Sequence, residues 1–376
     1  MKRVLLVVLN AEGTVGGEQR HVLQIIDGLD RDEYEPTVVT WDIPAFVEEL
    51  RMRKVPAVVV AGTRILDWPL VKRIESIIVE NDVDLVHAHG HRAGLLGRVA
   101  ALRSGRPRIV WTCHLAENKA DRSPLLAWGY RAVLGYLNRR TDATVAVSTH
   151  LREWLSGEGI DPADVMVVPN GVDCSLFRPL PRDGSLAERL GVGTGSPLLV
   201  CVARLTPQKG VESLVRASAR LAERGVAHQV LVVGAGPLEC ELKSLAHELG
   251  APVVFAGERS GIPSILSLAD AVVVPSLWEG AFCYTVLEAM ASERPLVCSD
   301  IKIFSDVVAG RDVAVTFRAD DPESLAEAIG SVLSDHDAST AMARRARHLV
   351  AAEYSVEAMQ STTRGLYERL LGGETS

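Results

Sequence analysis

Short runs of apolar residues alternate with longer stretches in which apolar and polar positions recur at helical spacing. Val4–Leu9 reads as a buried strand, Gly13–Gly17 as a loop and Glu18–Leu29 as a helix. Val38–Thr40 and Val58–Val60 read as further strands with a helix between them. Leu85–Ala88, Ile109–Cys113 and Thr144–Val147 repeat the pattern, each followed by helical sequence. Apolar runs that alternate with helices in this way form β-α units and a parallel sheet.

The pattern then restarts. Pro197–Val202 reads as a new buried strand, followed by Val230–Val233, Val253–Phe255, Val272–Val274 and Leu296–Cys298, again spaced by helices. Between the halves, Val168–Pro181 holds three prolines and the turn-like Asn170-Gly171, the composition of a linker. Ala338–Leu371 reads as helical throughout. The expected fold is therefore α/β, with two Rossmann-like, doubly wound parallel-sheet domains facing across a cleft. Their bounds are 1–175 and 176–354, with residues 355–376 as a helix crossing back to the first domain. In such sheets ligands bind outside the carboxyl ends of the strands, so the cleft is the expected site.

Composition narrows the field. The net charge of −8 argues against a broad nucleic-acid surface. The six cysteines form no C-x-x-C pair, which leaves neither a zinc knuckle nor a redox motif and suits reduced thiols in a cytoplasmic protein. The basic start Met1-Lys2-Arg3 resembles a leader, but the apolar run after it is short and Asn10, Glu12 and a Gly-rich turn follow. No uncharged run approaches the ~18 residues that span a bilayer.

Three segments carry chemistry. Gly13-Thr14-Val15-Gly16-Gly17 follows the first strand and opens a helix, where backbone N–H groups and the helix terminus suit an anion. It matches neither G-x-G-x-x-G nor a Walker loop, and a tight strand-to-helix turn accounts for it equally. Ala203-Arg204-Leu205-Thr206-Pro207-Gln208-Lys209-Gly210 places a bidentate guanidinium and a movable ammonium at a strand end, a suitable pair for a diphosphate. In Val274–Ala291 a buried strand ends at Pro275, a loop carries Glu279 and a helix carries Glu288. Carboxylates there accept hydrogen bonds from paired sugar hydroxyls.

Glu279 and Glu288, followed by Ala289-Met290-Ala291, resemble the E-x7-E signature of the retaining glycosyltransferases of family four, which have the GT-B fold. The resemblance runs through Gly16-Gly17, Asp84–Gly90, Thr112-Cys113-His114, Val168–Asp173, Arg204 with Lys209, Val233–Leu238 and Phe255-Ala256-Gly257. It implies transfer of a sugar from a nucleotide diphosphate donor to an acceptor, with no metal ion and no other cofactor. Arg204 and Lys209 would neutralise the leaving diphosphate, with Gly16 and Gly17 at the donor phosphates. Glu288 would bind ribose, and Glu279, Gly280, Ala281, Phe282 and Cys283 would hold the donor sugar. His114 would contact a sugar hydroxyl, and Gly257 to Arg259 would border the base. The acceptor, of unknown kind, would lie on the first domain.

One departure stands out. Eight residues, Gly280 to Leu287, separate the two glutamates where the family has seven. The extra residue falls in the sugar loop, whose usual second glycine is replaced at or beside Cys283.

Other features are weaker. His87, His89 and His91 resemble a metal cluster, but no carboxylate or cysteine lies nearby at zinc spacing, so a cleft-lining or structural role is expected and a metal is not. Residues 122–140 are basic at both ends, with Trp128, Tyr130 and Tyr136 among leucines. Peripheral contact with an anionic membrane and an ordinary packed helix explain them equally. A sugar-nucleotide epimerase or phosphorylase, or a non-catalytic sugar-nucleotide sensor, are the competing functions.

Overall fold

The structure, a computed structural model, describes residues 1–10, 16–61, 67–105, 107–115, 124–280 and 283–372 and, for residues 124–128 and 130, the backbone alone. The chain divides into two compact units. One is built on Met1–Gly171 with Val356–Ser376, the other on Val172–Glu279 with Cys283–Ser355.

The first unit holds strands β1 (Lys2–Val8), β2 (Tyr34–Thr40), β3 (Ala57–Val59), β4 (Leu85–His89), β5 (Arg108–Cys113), β6 (Ala143–Ala146) and β7 (Val165–Val167). Their order is β3-β2-β1-β4-β5-β6-β7, and every neighbouring pair is parallel. Because successive side chains point to opposite faces, β1 supplies two cores at once. Leu5 and Val7 join Val86, Ala88 and Trp111 on one face. Val4, Leu6 and Val8 join Val22, Ile26 and Tyr367 on the other. This double burial explains why these strands appear in the sequence as unbroken apolar runs.

The second unit holds β8 (Leu198–Val202), β9 (Gln229–Val233), β10 (Val253–Gly257), β11 (Ala271–Val274), β12 (Leu296–Ser299) and β13 (Val315–Phe317). Its order, β10-β9-β8-β11-β12-β13, reverses direction after β8. That reversal is the doubly wound arrangement, and it opens the loop after β8 for ligands.

The last helical stretch is not continuous. It is two helices, His336–Glu353 and Val356–Leu371. The break at Tyr354-Ser355 is held by Val172, whose N–H donates to the Tyr354 carbonyl at 2.9 Å and which pairs with Ser355 in an isolated bridge. Backbone groups diverted to that bridge cannot continue a helix. The second of these helices buries Met359, Leu366 and Tyr367 in the core shared with β1. Its Gln360 amide donates to the Gln24 carbonyl at 2.7 Å. A side chain at Gly28 would collide with Gln360.

Two strands, β7 and β13, lie outside the runs picked from the sequence. Each has three residues at a sheet edge, where one face is incompletely covered and the apolar signal is short. Among the described residues no helix is long and apolar enough to cross a membrane.

Candidate functional site

Three loops meet at the carboxyl ends of the second sheet. Ala203 N–H donates to Val233 O at 3.0 Å, Leu205 N–H to Ala235 O at 2.9 Å and Gly234 N–H to Gly257 O at 2.9 Å. A Cβ on Gly234 would strike the Ala203 carbonyl, and one on Gly236 the Leu205 carbonyl. The glycines of Val233–Leu238 are thus required by close backbone approach.

The loop after β11 is joined to the loop after β8. Pro207–Lys209 forms a single 3-10 turn closed by Gly210, which has φ of +61° and faces the Pro275 carbonyl. Leu277 N–H donates to Gln208 O at 2.9 Å. These ties bring together side chains seventy residues apart in sequence. Lys209 Nζ lies 2.5 Å from Glu279 Oε1, to which Ser276 Oγ also donates at 2.7 Å. Gln208 Nε2 donates to Glu279 Oε2 at 3.0 Å. Ser276 is fixed in turn because Ser299 Oγ donates to its carbonyl at 2.6 Å.

Both charged side chains are largely buried, Lys209 15 % exposed and Glu279 5 %. Burial works to lower the Lys209 pKa, but the Cys283 sulfur and the Glu279 carboxylate outweigh it and hold the pKa above its ordinary value. Lys209 is therefore a cation across the physiological range. Burial pushes the Cys283 thiol up, with Glu279 adding to the effect.

The other expected donor residues lie at or beyond the ends of β8, β10 and β11. Arg204 is exposed at the end of β8. Glu288 is buried in the second turn of the helix Tyr284–Ala291, and Cys283 caps that helix. Gly280 is buried, while Ala281 and Phe282 lie outside the described residues. Gly257, with φ of +70°, ends β10, and Arg259 is exposed beyond it. A cavity of about 740 Å³ opens beside the knot, lined by Thr206, Gly210, Ser213, Leu238 and Leu277, and none of the charged knot residues line it.

In the first unit, Gly16 caps the helix Gly17–Asp27 and its N–H donates to Gln19 Oε1 at 3.1 Å. Gly13, Thr14 and Val15 lie outside the described residues. His114, just past β5, is buried in a group of imidazoles. Its Nε2 lies 3.1 Å from His89 Nδ1, and its ring centre 4.8 Å from that of His21. His87 and His89 share a face of β4, with ring centres 4.0 Å apart. His87 bonds through Nδ1 to the Tyr367 hydroxyl at 2.6 Å and through Nε2 to Thr112 Oγ1 at 2.7 Å. His91 packs against the Leu115 carbonyl and the Trp154 ring.

Burial pushes the His21 pKa down to about 4, against the opposing hydrogen bond to Asn170. Burial, then mutual repulsion among the rings, holds His87, His89 and His114 well below the ordinary value. All four are neutral at pH 7.

Four residues escaped assignment from sequence. His21 and Asn170 belong to the first unit, and His21 Nδ1 lies 3.0 Å from Asn170 Oδ1. The stretch taken for a linker therefore orients a site imidazole before it leaves the unit. Gln24 Nε2 fastens the same stretch by donating to Gly171 O at 2.9 Å. Gln208 and Ser276 belong to the second unit and orient Glu279. For Gln208, its place beside Lys209 was the available signal.

In residues 122–140, the helix is Pro124–Asn138, and Arg122 and Ser123 lie outside the described residues. Arg131 reaches Glu158 Oε2 at 3.4 Å. Tyr136 is 55 % exposed, with the Arg140 guanidinium 3.9 Å above its ring centre.

Residues 15–176 match the profile described as Glycosyltransferase Family 4, and residues 185–349 that described as Glycosyl transferases group 1. The chain is 32% identical over 314 residues to alpha-maltose-1-phosphate synthase of Mycolicibacterium smegmatis, covering 76% of this chain and 79% of that one. It is 26% identical over 332 residues to UDP-Gal:alpha-D-GlcNAc-diphosphoundecaprenol alpha-1,3-galactosyltransferase of Escherichia coli, covering 85% and 86%. The crystal structure of the Anabaena protein HepE in complex with UDP superposes with a TM-score of 0.86 at 22% identity, covering 98% of this chain and 100% of that one, a likeness of fold.

Proposed function

The chain belongs to the family 4, group 1 glycosyltransferases, and from that premise we propose that it transfers a sugar from a nucleotide diphosphate donor to an acceptor hydroxyl, with retention at the anomeric carbon and without a metal ion. The observation that carries the proposal is the buried Lys209–Glu279 knot at the carboxyl ends of β8 and β11.

Breaking the bond from the anomeric carbon to the diphosphate oxygen sends its electron pair to the diphosphate and leaves an oxocarbenium-like sugar. Pre-set charge aimed at the departing group is usually the largest contribution to such catalysis. Lys209 and Arg204 supply that charge. In the structure described, Lys209 is held by Glu279, so a donor diphosphate replaces one acidic partner by another and the ammonium stays paired. Glu279, released towards the sugar but still oriented by Gln208 and Ser276, accepts from sugar hydroxyls. Glu288 takes the ribose hydroxyls, Gly257 to Arg259 border the base, and Gly16 and Gly17 lie at the phosphates. The acceptor hydroxyl attacks from the face the diphosphate leaves and passes its proton to the departing phosphate oxygen.

His114 binds a donor-sugar hydroxyl. Its neutral state matters, since an imidazolium there would repel the positive charge growing on the sugar ring. Supporting the donor class, the E. coli relative is named for a UDP-sugar and HepE was crystallised with UDP.

The test is a thermal-shift screen of UDP, GDP, ADP and TDP sugars, since a ligand bound only by the folded state raises the melting point. The stabilising donor is then incubated with candidate acceptors and the product anomer read by NMR. Retained configuration in the presence of EDTA is the expected result. Free sugar phosphate, or an epimerised nucleotide with no acceptor consumed, would sink the proposal, as would a donor that binds but is never turned over.

The acceptor is assigned to the first unit, and a lipid-linked acceptor fits the exposed Tyr136, Arg139 and Arg140. That reading places the protein on the cytoplasmic membrane face. It predicts sedimentation with anionic vesicles that disappears in the Arg139→Ala/Arg140→Ala variant; no sedimentation at low salt excludes it.

A further inference from the structure

The transfer described above uses one of the first unit's buried imidazoles. Three of them come from separate elements: His21 from the helix Gly17–Asp27, His89 from the end of β4 and His114 from just beyond β5. Each offers a ring nitrogen, and these nitrogens lie within 4.8 Å of one another. We propose that His21, His89 and His114 form a binding site for zinc or a similar borderline divalent cation, whose occupation withdraws His114 from the donor sugar and slows transfer.

The donor set selects the ion class. Imidazole nitrogens suit zinc, copper, nickel and iron, whereas magnesium and calcium take oxygen ligands. Tetrahedral zinc holds nitrogens at ~2.0–2.1 Å, which spaces ligand atoms by about 3.3 Å. The His89 and His114 nitrogens already lie 3.1 Å apart.

The surroundings fit as well. His21 Nδ1 is committed to the Asn170 amide oxygen at 3.0 Å, which makes it the N–H and leaves Nε2 with the lone pair. Metal-bound histidines characteristically make this outer bond, which fixes tautomer and ring orientation. His87 is excluded as a ligand, because both its nitrogens are engaged, by Tyr367 and Thr112. It stacks beside His89 and walls the group. Three nitrogens leave a fourth position for water, the pattern of an open zinc site.

The site is tested on the full chain with Co²⁺ as a spectroscopic probe and Zn²⁺ as competitor, in the absence of donor. The expected result is one Co²⁺ per chain with tetrahedral absorption and no thiolate charge-transfer band, displaced by Zn²⁺. The last criterion matters because Cys240 is an exposed thiol. His21→Gln and His89→Gln should each weaken binding at least ten-fold while far-UV circular dichroism stays unchanged. Absence of uptake at micromolar Co²⁺, an octahedral spectrum or a thiolate band in the wild type would overturn the site, as would well-folded variants that bind like wild type. Zn²⁺ should also slow transfer reversibly, with EDTA restoring it. That half rests on the role given to His114, and zinc bound with transfer unaffected would overturn it alone.

Discussion

The first unit's histidine group and the second unit's lysine–glutamate knot both bury titratable side chains at the carboxyl ends of parallel strands, with opposite results. Burial dominates for His21, His87, His89 and His114 and leaves them neutral. Burial beside Glu279 keeps Lys209 charged. The desolvation cost is of the same kind in both places, and the partner decides which state survives.

The widest contrast is tested first by removing the cations. Lys209→Ala and Arg204→Ala should each lower turnover ~10²–10³-fold, the worth of one pre-set charge on a departing anion. Near-normal steady-state kinetics for both would remove the diphosphate assignment. Acid should separate the units next. His21 has a folded pKa of about 4 against an ordinary 6.5, so the unfolded chain binds the extra proton between those values. Stability from this group is present above pH 6.5 and falls as pH drops towards 4, by roughly 3 kcal/mol at the lower end. The other three histidines add to the loss. Urea denaturation across this window should show it, and a flat profile would contradict neutral burial. For Lys209 the sign is reversed, because its raised pKa contributes stability lost only as pH rises through the alkaline range.

Smaller changes sharpen the comparison. Glu279→Gln keeps the shape but removes the charge, leaving a buried ammonium short of its partner. A cost of about 1–3 kcal/mol in denaturant unfolding is expected, together with a lowered Lys209 pKa. Asn170→Ala should have the least effect, about 1 kcal/mol. Because the lost bond favours the protonated ring, the His21 pKa should fall further, which NMR titration would read directly.

Much of the second unit's site was legible along the chain. Arg204 and Lys209 flank one short loop, and Glu279 and Glu288 belong to one strand-loop-helix segment, so their neighbourhood is local. What the chain did not reveal is that Lys209 and Glu279 face each other, since that depends on β8 lying beside β11. The first unit was less legible. His87, His89 and His91 are neighbours in sequence, yet His91 lies on a helix and bonds to the Leu115 carbonyl, and His21 and His114 join His87 and His89 from other elements.

The amino-acid sequence by itself determined the two parallel sheets, because strands buried on both faces must be apolar at every position and helices between them must carry one apolar stripe. Only the tertiary structure decided which polar side chains meet, which of them keep a charge, and that Val172 holds the break at Tyr354-Ser355. Those outcomes follow from strand order and burial depth, and charge state depends on distances between residues that sequence spacing does not encode.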